Sequence, residues 1–280
     1  MKKLLFLLAF MPMFSLGQSL GKKRVDRLRN AVVKIMTPYG SGTGFFISDK
    51  GYILTCRHVI EAALARDKDG KLIQDMPITV EFSDGEQIRA SSFYKLDDSD
   101  LSTLSFDYFV IKIIGKPKHN IESLKLGSFD IQDGDEVYTC GYPFGMKEQF
   151  ISKGIISTKY IQQYPIKYQA KDTIIYRKAA WLDLTMNKGN SGGPVVKLGK
   201  IYTDDEVVGI ATFIQSPFLE KATNALETAT NPAIDLRYGN GKTLSEILQT
   251  LSQALLSESY GISGCVSIDY FNTFYKESMR

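Results

Sequence analysis

The feature that most constrains the fold of this chain is a succession of short apolar runs, each bounded by Gly, Asp, Asn, Ser or Pro. The runs are rich in Val, Ile, Phe, Tyr and Thr, which favour β-strands. A first group comprises Ala31–Ile35, Gly44–Ser48, Tyr52–Cys56, Ile78–Phe82 and Tyr108–Ile113. A second comprises Glu136–Cys140, Phe150–Thr158, Thr173–Tyr176, Pro194–Lys197, Val207–Phe213 and Cys265–Ile268. Many short strands with few helices between them predict antiparallel barrels or sandwiches.

A polar stretch with a proline separates the two groups and is interpreted as a linker. Two strand-rich halves joined by one linker predict an all-β protein made of two β-barrels. A short N-terminal helix is expected over Lys22–Arg29. The predicted segments are a signal peptide (1–17), an N-terminal segment (18–30), a first barrel (31–114), the linker (115–124), a second barrel (125–270) and a C-terminal tail (271–280).

A helical pattern interrupts the strands of the second half, within residues 214–259. Thr243 and Glu246 have the spacing of a capping box, which marks the start of a helix. Apolar residues then recur on one helical face: Leu244, Ile247, Leu248, Leu251 and Leu255. We therefore expect a helical insertion in the second barrel.

The first residues of the chain have the pattern of a secretory signal peptide. Two lysines precede the apolar run Leu4–Phe14, which is too short to span a bilayer. Small residues precede a cleavage site between Gly17 and Gln18. We therefore expect an exported chain, periplasmic or secreted, with no stable membrane insertion after cleavage. An uncleaved, membrane-associated N-terminus is the alternative.

Charge and cysteine content exclude several classes of function. Lys+Arg 34 against Asp+Glu 31 gives a net charge of +3, or +1 without the two lysines of the signal peptide. A nearly neutral chain does not recognise nucleic acid or an anionic membrane by electrostatics. Cys56, Cys140 and Cys265 allow at most one disulfide and contain no Cys-x-x-Cys pair, so no metal site is expected. Residues 97–100 lack the glycine and distal glutamate of a calcium loop.

The glycine-rich stretch Asn187–Pro194 is the most informative about chemistry. Glycines on both sides of Ser191 let the backbone turn tightly, so that successive N–H groups can converge beside the serine hydroxyl. Such a cluster can stabilise a developing oxyanion while the serine attacks a carbonyl. A serine in a glycine-rich stretch is more often only part of a turn, so this interpretation requires a base.

Two histidines are candidates for that base. His58 follows an apolar strand that would hold the imidazole in place, whereas His119 lies among lysines in the linker and is interpreted as a surface residue. A carboxylate must orient the imidazole, and Asp107 precedes the apolar run Tyr108–Ile113, where a charge is costly unless hydrogen-bonded. The chain order histidine, aspartate, serine matches that of chymotrypsin and differs from the subtilisin and α/β-hydrolase orders.

With these residues assigned, the chain resembles a trypsin-like serine protease of the HtrA/Deg type. The resemblance extends from about Ala31 to Ile268 and rests on several motifs in the order of that family. They are the glycine-rich strand Ser41–Ser48, the histidine strand Gly51–His58, the aspartate strand Asp107–Ile113, the opening of the second barrel from Leu126 to Gly145, the serine loop Asp183–Pro194, the pocket strand Val208–Thr212 and the last strand Tyr260–Val266.

The resemblance implies two perpendicular six-stranded antiparallel Greek-key barrels with the active site in the cleft between them. Ser191 would be the nucleophile, His58 the general base and then acid, and Asp107 the residue that fixes the histidine tautomer. Gly189, Asn190 and Ser191 would form the oxyanion hole. Water would complete the reaction on protein or peptide substrates, and no metal or cofactor is implied.

The resemblance also implies a specificity pocket, lined by Thr185 and by three residues of the pocket strand, Ala211, Thr212 and Phe213. Trypsin-type enzymes that select basic side chains have an aspartate at the position of Thr185. Glutamate-selective relatives use a histidine in the pocket, and this chain has none after the linker. A buried substrate charge needs a partner, so we predict a preference for small or medium apolar residues before the scissile bond.

Two departures limit the resemblance. After Ile268 only 12 residues follow, 269–280, far fewer than the roughly 90 of a PDZ domain, so PDZ-based regulation is not expected. Residues 214–259 would lie near the substrate cleft, where we expect them to shape or cover the pocket. A surface elaboration is the alternative.

The predicted function is therefore an exported serine endopeptidase that acts through a Ser-His-Asp triad and an acyl-enzyme. Two alternatives stay open at this point. One is a catalytically weak, protease-like protein that binds peptides, because the sequence does not establish that the oxyanion loop is correctly formed. The other is an esterase that uses the same triad.

Overall fold

A computed structural model describes residues 19–68, 72–93, 106–118, 120–168, 171–214, 243, 246–247, 249–250 and 262–274. Within these ranges the strands form two closed six-stranded barrels and one separate two-stranded sheet. The predicted all-β fold with two barrels is confirmed. No helix in the described ranges is long and apolar enough to cross a membrane.

The first barrel is built from residues that the sequence places before the linker. Its strands are β1 (Val32–Thr37), β2 (Gly40–Phe46), β3 (Tyr52–Cys56), β6 (Ile78–Glu81), β7 (Gln87–Ser92) and β8 (Tyr108–Ile113), and the separate two-stranded sheet comprises β4 (Leu64–Arg66) and β5 (Leu72–Gln74). Around the barrel they follow the order β1–β2–β3–β8–β7–β6.

Strand β7 was not among the apolar runs of the sequence. Of its six residues only Ala90 is buried, so the segment is too polar to be distinguished from a loop. It is a strand because its neighbours on both sides supply backbone partners: Ala90 pairs with Ile78 of β6 and with Ile113 of β8. Tertiary pairing therefore decides this element, against its local composition.

The second barrel follows the linker. Its strands are β9 (Glu136–Gly141), β10 (Phe150–Tyr168), β11 (Lys171–Asp183), β12 (Pro194–Lys197), β13 (Glu206–Ile214) and β14 (Ile262–Ser267), in the order β10–β11–β14–β13–β12–β9. β10 and β11 are much longer than predicted, because they pair with each other well beyond the barrel. We call residues 159–178 of this hairpin the hairpin arm, since β11 pairs with β14 only from Ala179 onwards.

The two barrels share one apolar core, which fixes how they face each other. A single cluster of buried side chains contains Val32, Phe45, Leu54 and Tyr108 from the first half together with Tyr138, Cys140, Val196 and Phe271 from the second. Each barrel also has its own interior cluster. A cleft between barrels held in this way has walls of fixed geometry.

Helices are few in the described part of the chain. Apart from three short 3-10 turns and the helical residues of the insertion, they are α1 (Lys22–Ala31), close to the predicted N-terminal helix, the single turn α2 (Arg57–Ile60) and the C-terminal α3 (Asp269–Phe274). In the predicted insertion, Thr243 N donates to Glu246 Oε2 at 2.8 Å and Glu246 N to Thr243 Oγ1 at 3.1 Å, which is the expected capping box. Most of the predicted insertion, the predicted signal peptide, residues 97–100 and His119 lie outside the described residues.

Candidate active site

His58 and Asp107 meet because of the pairing of two strands in the first barrel. Cys56 at the end of β3 is opposite Tyr108 at the start of β8, so the residues just beyond them are neighbours. His58 Nδ1 lies 2.6 Å from Asp107 Oδ2, and the backbone N–H of His58 donates to Asp107 Oδ1 at 3.0 Å. Both carboxylate oxygens are therefore bound to the same histidine.

The backbone of Asp107 is itself held in a specific conformation. Its φ of 57° lies in the left-handed region, which aspartate tolerates better than most residues. Its carbonyl accepts a hydrogen bond from Arg57 N at 2.9 Å. On the other side, the ring of Phe106 stacks on Tyr270 of α3 with centroids 3.7 Å apart. The carboxylate is therefore aimed at His58 by contacts from both barrels.

The imidazole of His58 has its pKa and its tautomer set by Asp107. Its burial lowers the pKa of His58, but the hydrogen bond and negative charge of Asp107 raise it by more, so the net shift is upward from the ordinary 6.5. A carboxylate accepts hydrogen bonds, so Nδ1 carries the proton and Nε2 is left with its lone pair. The side chain is 43% exposed, so the ring is open to solvent.

The serine loop belongs to the second barrel but is held by Thr43 on β2 of the first. Thr43 N donates to Ser191 O at 2.9 Å, and Thr43 Oγ1 donates to Gly189 O at 2.7 Å. Gly192, with a φ of 86°, has no room for a Cβ, which would collide with the carbonyl oxygen of Thr43. Glycine is required here because the two barrels touch through backbone atoms.

The loop expected to form the oxyanion hole has two backbone N–H groups for which no backbone acceptor is found in the described part of the chain. Among the described residues, neither Gly189 N nor Ser191 N donates a backbone hydrogen bond. Asn190 N is used inside the loop, where it donates to Asn187 O at 3.0 Å, and the Asn190 side chain is only 4% exposed. Gly189 and Ser191 are therefore the available donors, and Asn190 is a buried spacer between them.

The residues expected to form the pocket are only partly described. Ala211 is buried, and its carbonyl accepts a hydrogen bond from Gly192 N at 2.8 Å, so the pocket strand lies against the serine loop. Thr212 is half-buried at an irregularity in the pairing of β13 with β14, and Thr185 is exposed in the segment after β11. Phe213 lies on β13, but its side chain is outside the described part.

Cys56 lies beside His58 and Asp107. Its Sγ, a ligand atom of His58 and one of Asp107 all lie within 4.8 Å of one another, and the thiol donates to Ala211 O at 3.4 Å. Burial raises the pKa of Cys56 well above its ordinary value, and the negative charge of Asp107 raises it further. The thiol therefore stays protonated. All three cysteines are free and buried.

The hairpin arm brings a buried cation towards the same site. Arg177 is 3% exposed, its Nε donates to Gln162 Oε1 at 2.7 Å, and its guanidinium lies 3.8 Å from the centre of the Tyr164 ring. Burial lowers the pKa of Arg177, while the negative charge of Asp107 opposes that shift. No sequence motif points to this residue, because the arm belongs to strands predicted to be much shorter.

Comparisons with known proteins agree with this geometry. A family model described as a trypsin-like peptidase domain matches residues 42–210, more than half of the chain. A probable periplasmic serine protease do/HhoA-like of Haemophilus influenzae is 31% identical over 199 residues, covering 70% of this chain and 36% of that protein. A probable periplasmic serine endoprotease DegP-like of Chlamydia muridarum is 34% identical over 176 residues, covering 62% and 28%. The chain thus spans only about a third of the length of these relatives.

Solved structures show the same fold. The structure of an HtrA-type protease with a tripeptide matches this chain with a TM-score of 0.55 and 22% identity. The match includes 92% of this chain and 62% of that protease. The structure of the Rv3671c protease in its inactive form matches this chain with a TM-score of 0.57 and 16% identity. The match includes 90% of each chain. Both support the double barrel.

Proposed function

Because the chain belongs to the trypsin-like peptidase family, we propose that it is an exported serine endopeptidase with Ser191, His58 and Asp107 as its triad. The single observation that best supports the proposal is the 2.6 Å hydrogen bond between His58 Nδ1 and Asp107 Oδ2. This bond orients an imidazole beside a serine loop that Thr43 holds against the same barrel. The apolar run before Gln18 and the periplasmic relatives support export.

In this proposal the reaction proceeds in two halves. His58 Nε2 takes the proton of Ser191 Oγ as the oxygen attacks the peptide carbonyl, and the N–H groups of Gly189 and Ser191 stabilise the resulting oxyanion. His58 then gives that proton to the departing amine, which leaves an acyl-enzyme. Water, deprotonated by the same nitrogen, attacks the acyl group and regenerates the serine. Asp107 keeps the proton on Nδ1 and stabilises the imidazolium throughout.

Labelling with a fluorophosphonate probe tests the proposal most directly. An activated serine reacts with the probe, so mass spectrometry should locate the modification at Ser191, and the Ser191→Ala variant should not be modified. A folded wild-type protein that resists the probe would favour the protease-like peptide-binding alternative. Preference for a natural ester over peptides in a substrate panel would favour the esterase.

The proposed substrates are proteins or peptides cleaved after small or medium apolar residues. This preference is supported by an uncharged residue, Thr185, at the position where an aspartate selects basic side chains, and by the buried Ala211 on the pocket strand. A peptide library should be cut mainly after residues such as Ala and Val. Cleavage mainly after Arg, Lys or Glu would contradict the proposed preference.

A further inference from the structure

We propose that Lys34 is a positioning residue for the oxyanion hole, acting through the turn Pro143–Gly145; the inference rests on the endopeptidase function proposed above. Lys34 lies on β1 of the first barrel, whereas Gly189 is in the second barrel, far away in the sequence. Two short hydrogen bonds and one peptide plane connect the lysine to the Gly189 N–H.

The first hydrogen bond joins the lysine to the turn. Lys34 Nζ donates to Gly145 O at 2.6 Å, and Glu81 Oε1 on β6 lies 3.9 Å from the same nitrogen. Lys34 is only 8% exposed. An ammonium group removed from water must be hydrogen-bonded and compensated in charge, so these two partners hold it in one position.

The turn Pro143–Gly145 needs a stabilising contact of this kind because its backbone is strained. Phe144 has φ 54° and ψ 20°, and Gly145 has a φ of 70°, so two consecutive residues are left-handed and the first of them is not glycine. The Phe144 side chain is 57% exposed, so packing of the ring does not impose this conformation. Lys34 supplies a fixed contact from a different element.

The second hydrogen bond joins the turn to the serine loop. Phe144 N donates to Lys188 O at 2.6 Å. In a trans peptide the C=O and N–H point in opposite directions, so a Lys188 carbonyl aimed at Phe144 leaves the Gly189 N–H aimed away from it, as an oxyanion donor must be. If Phe144 shifted, this peptide could rotate and present its carbonyl instead of its N–H.

Thr43 fixes the next peptide in the same loop. Lys34 and Thr43 are directly opposite each other in the β1–β2 register, so their side chains lie on one face of the barrel. Thr43 Oγ1 donates to Gly189 O, while Lys34 acts on the peptide before Gly189. Lys34 and Thr43, neighbours in the first barrel, thereby orient the two peptide groups on either side of Gly189, whose N–H is the donor in the second barrel.

Three variants separate positioning from general destabilisation. Lys34→Met removes the donor, Lys34→Arg keeps a cation, and Lys125→Met is the matched control, since Lys125 forms a surface ion pair with Glu206 at 2.6 Å. The readouts are kcat and KM on a p-nitroanilide peptide with valine before the scissile bond, the rate of fluorophosphonate labelling, and hydrogen exchange of the Phe144 amide. Lys34→Ala, which also lacks a donor, replaces Lys34→Met if the latter does not fold.

Lys34→Met should lower kcat and the labelling rate about ten- to one-hundred-fold, while KM stays within about twofold of the wild-type value. The expected loss in kcat is smaller than the roughly 10²–10³ caused by removing a direct oxyanion donor. The Phe144 amide should exchange faster, Lys34→Arg should restore most activity, and Lys125→Met should behave as wild type. Unchanged Phe144 exchange or an unchanged labelling rate in folded Lys34→Met would overturn the inference. If the wild type is not labelled, the endopeptidase proposal fails, and Phe144 exchange alone decides the role of Lys34.

Discussion

At the scale of single residues, the site depends on side chains whose partners are fixed before any substrate arrives. Asp107 uses one oxygen to hold the backbone of His58 and the other to hold its ring. The imidazole thus cannot turn without breaking a charge-assisted hydrogen bond. The pKa of the imidazole also depends on the Asp107 carboxylate, so the same residue sets both the orientation and the basicity of His58.

Replacing Asp107 by asparagine should separate these effects. His58 acts as a base only when neutral, so kcat/KM of the wild type should rise with pH. The inflection should lie above 6.5, because Asp107 raises the pKa of His58 by more than burial lowers it. In Asp107→Asn the charge is lost, so the inflection should move to lower pH, and the plateau should fall by about 10⁴ because the favoured tautomer changes.

The pH–rate profile measures both changes, and Asp172→Asn, an exposed carboxylate on the hairpin arm, is the control that should leave the profile unaltered. A wild-type inflection below 6.5, or the same inflection in Asp107→Asn, would contradict the assignment of His58 and Asp107.

At the scale of elements, helix α1 shows how tertiary contacts replace local helix signals. Gly21 at its N-cap makes no side-chain cap, and its first turn has no acidic residue. The helix is held by Arg24, which binds Asp205 through Nε at 2.7 Å and Gly199 O through a second nitrogen at 2.8 Å. The Asp205 side chain is 2% exposed, so this N-terminal helix closes over a buried carboxylate of the second half.

Arg24→Met should destabilise the fold more than a surface arginine substitution does. The change leaves Asp205 buried with Tyr138 Oη and Gly199 N as its remaining donors, and breaking a buried ion pair costs about 3 kcal/mol in the free energy of unfolding. Arg27→Met, which removes an exposed hydrogen bond to Tyr202 O and a long one of 3.4 Å to Ser123 O, should cost less than about 1 kcal/mol. Urea unfolding measures both, and equal losses would contradict the role of the Arg24 pair.

At the scale of the whole molecule, the two barrels are coupled by packing and by the site itself. The shared apolar cluster contains side chains from both barrels, and Thr43 and Lys34 of the first hold loops of the second. Neither barrel can lose its structure without exposing part of the apolar surface of the other. The molecule should therefore unfold as one cooperative unit.

Trp181, the one tryptophan of the chain, makes this expectation measurable. It lies on β11 and stacks on Tyr160, so its fluorescence reports on the second barrel, whereas far-ultraviolet circular dichroism reports on all strands. The two transitions should coincide in urea.

A fragment of residues 31–114 should not fold alone, because its face towards the second barrel would be left uncovered. Separate midpoints, or a folded fragment, would show that the barrels are independent.

The sequence by itself identified the family, the double barrel and the candidate triad, because these depend on local signals. Strands β3, β8 and β12 were predicted with the boundaries that the structure has, since each is a short, continuous apolar run between turn residues. Ser191 was recognisable from the glycines around it, and His58 and Asp107 from their places beside apolar strands. Such signals lie within a few residues of the group concerned.

The tertiary structure alone decided which distant groups act on those residues. β7 and the hairpin arm are strands because of their pairing partners, and Arg177 and Lys34 approach the site from elements that carry none of its motifs. Thr43 belongs to the glycine-rich strand motif, but its hydrogen bond to Gly189 O is visible only in the tertiary structure. Their effects depend on the directions of single hydrogen bonds and peptide planes. Such directions are set only when both barrels pack together, so no local pattern in the chain contains them.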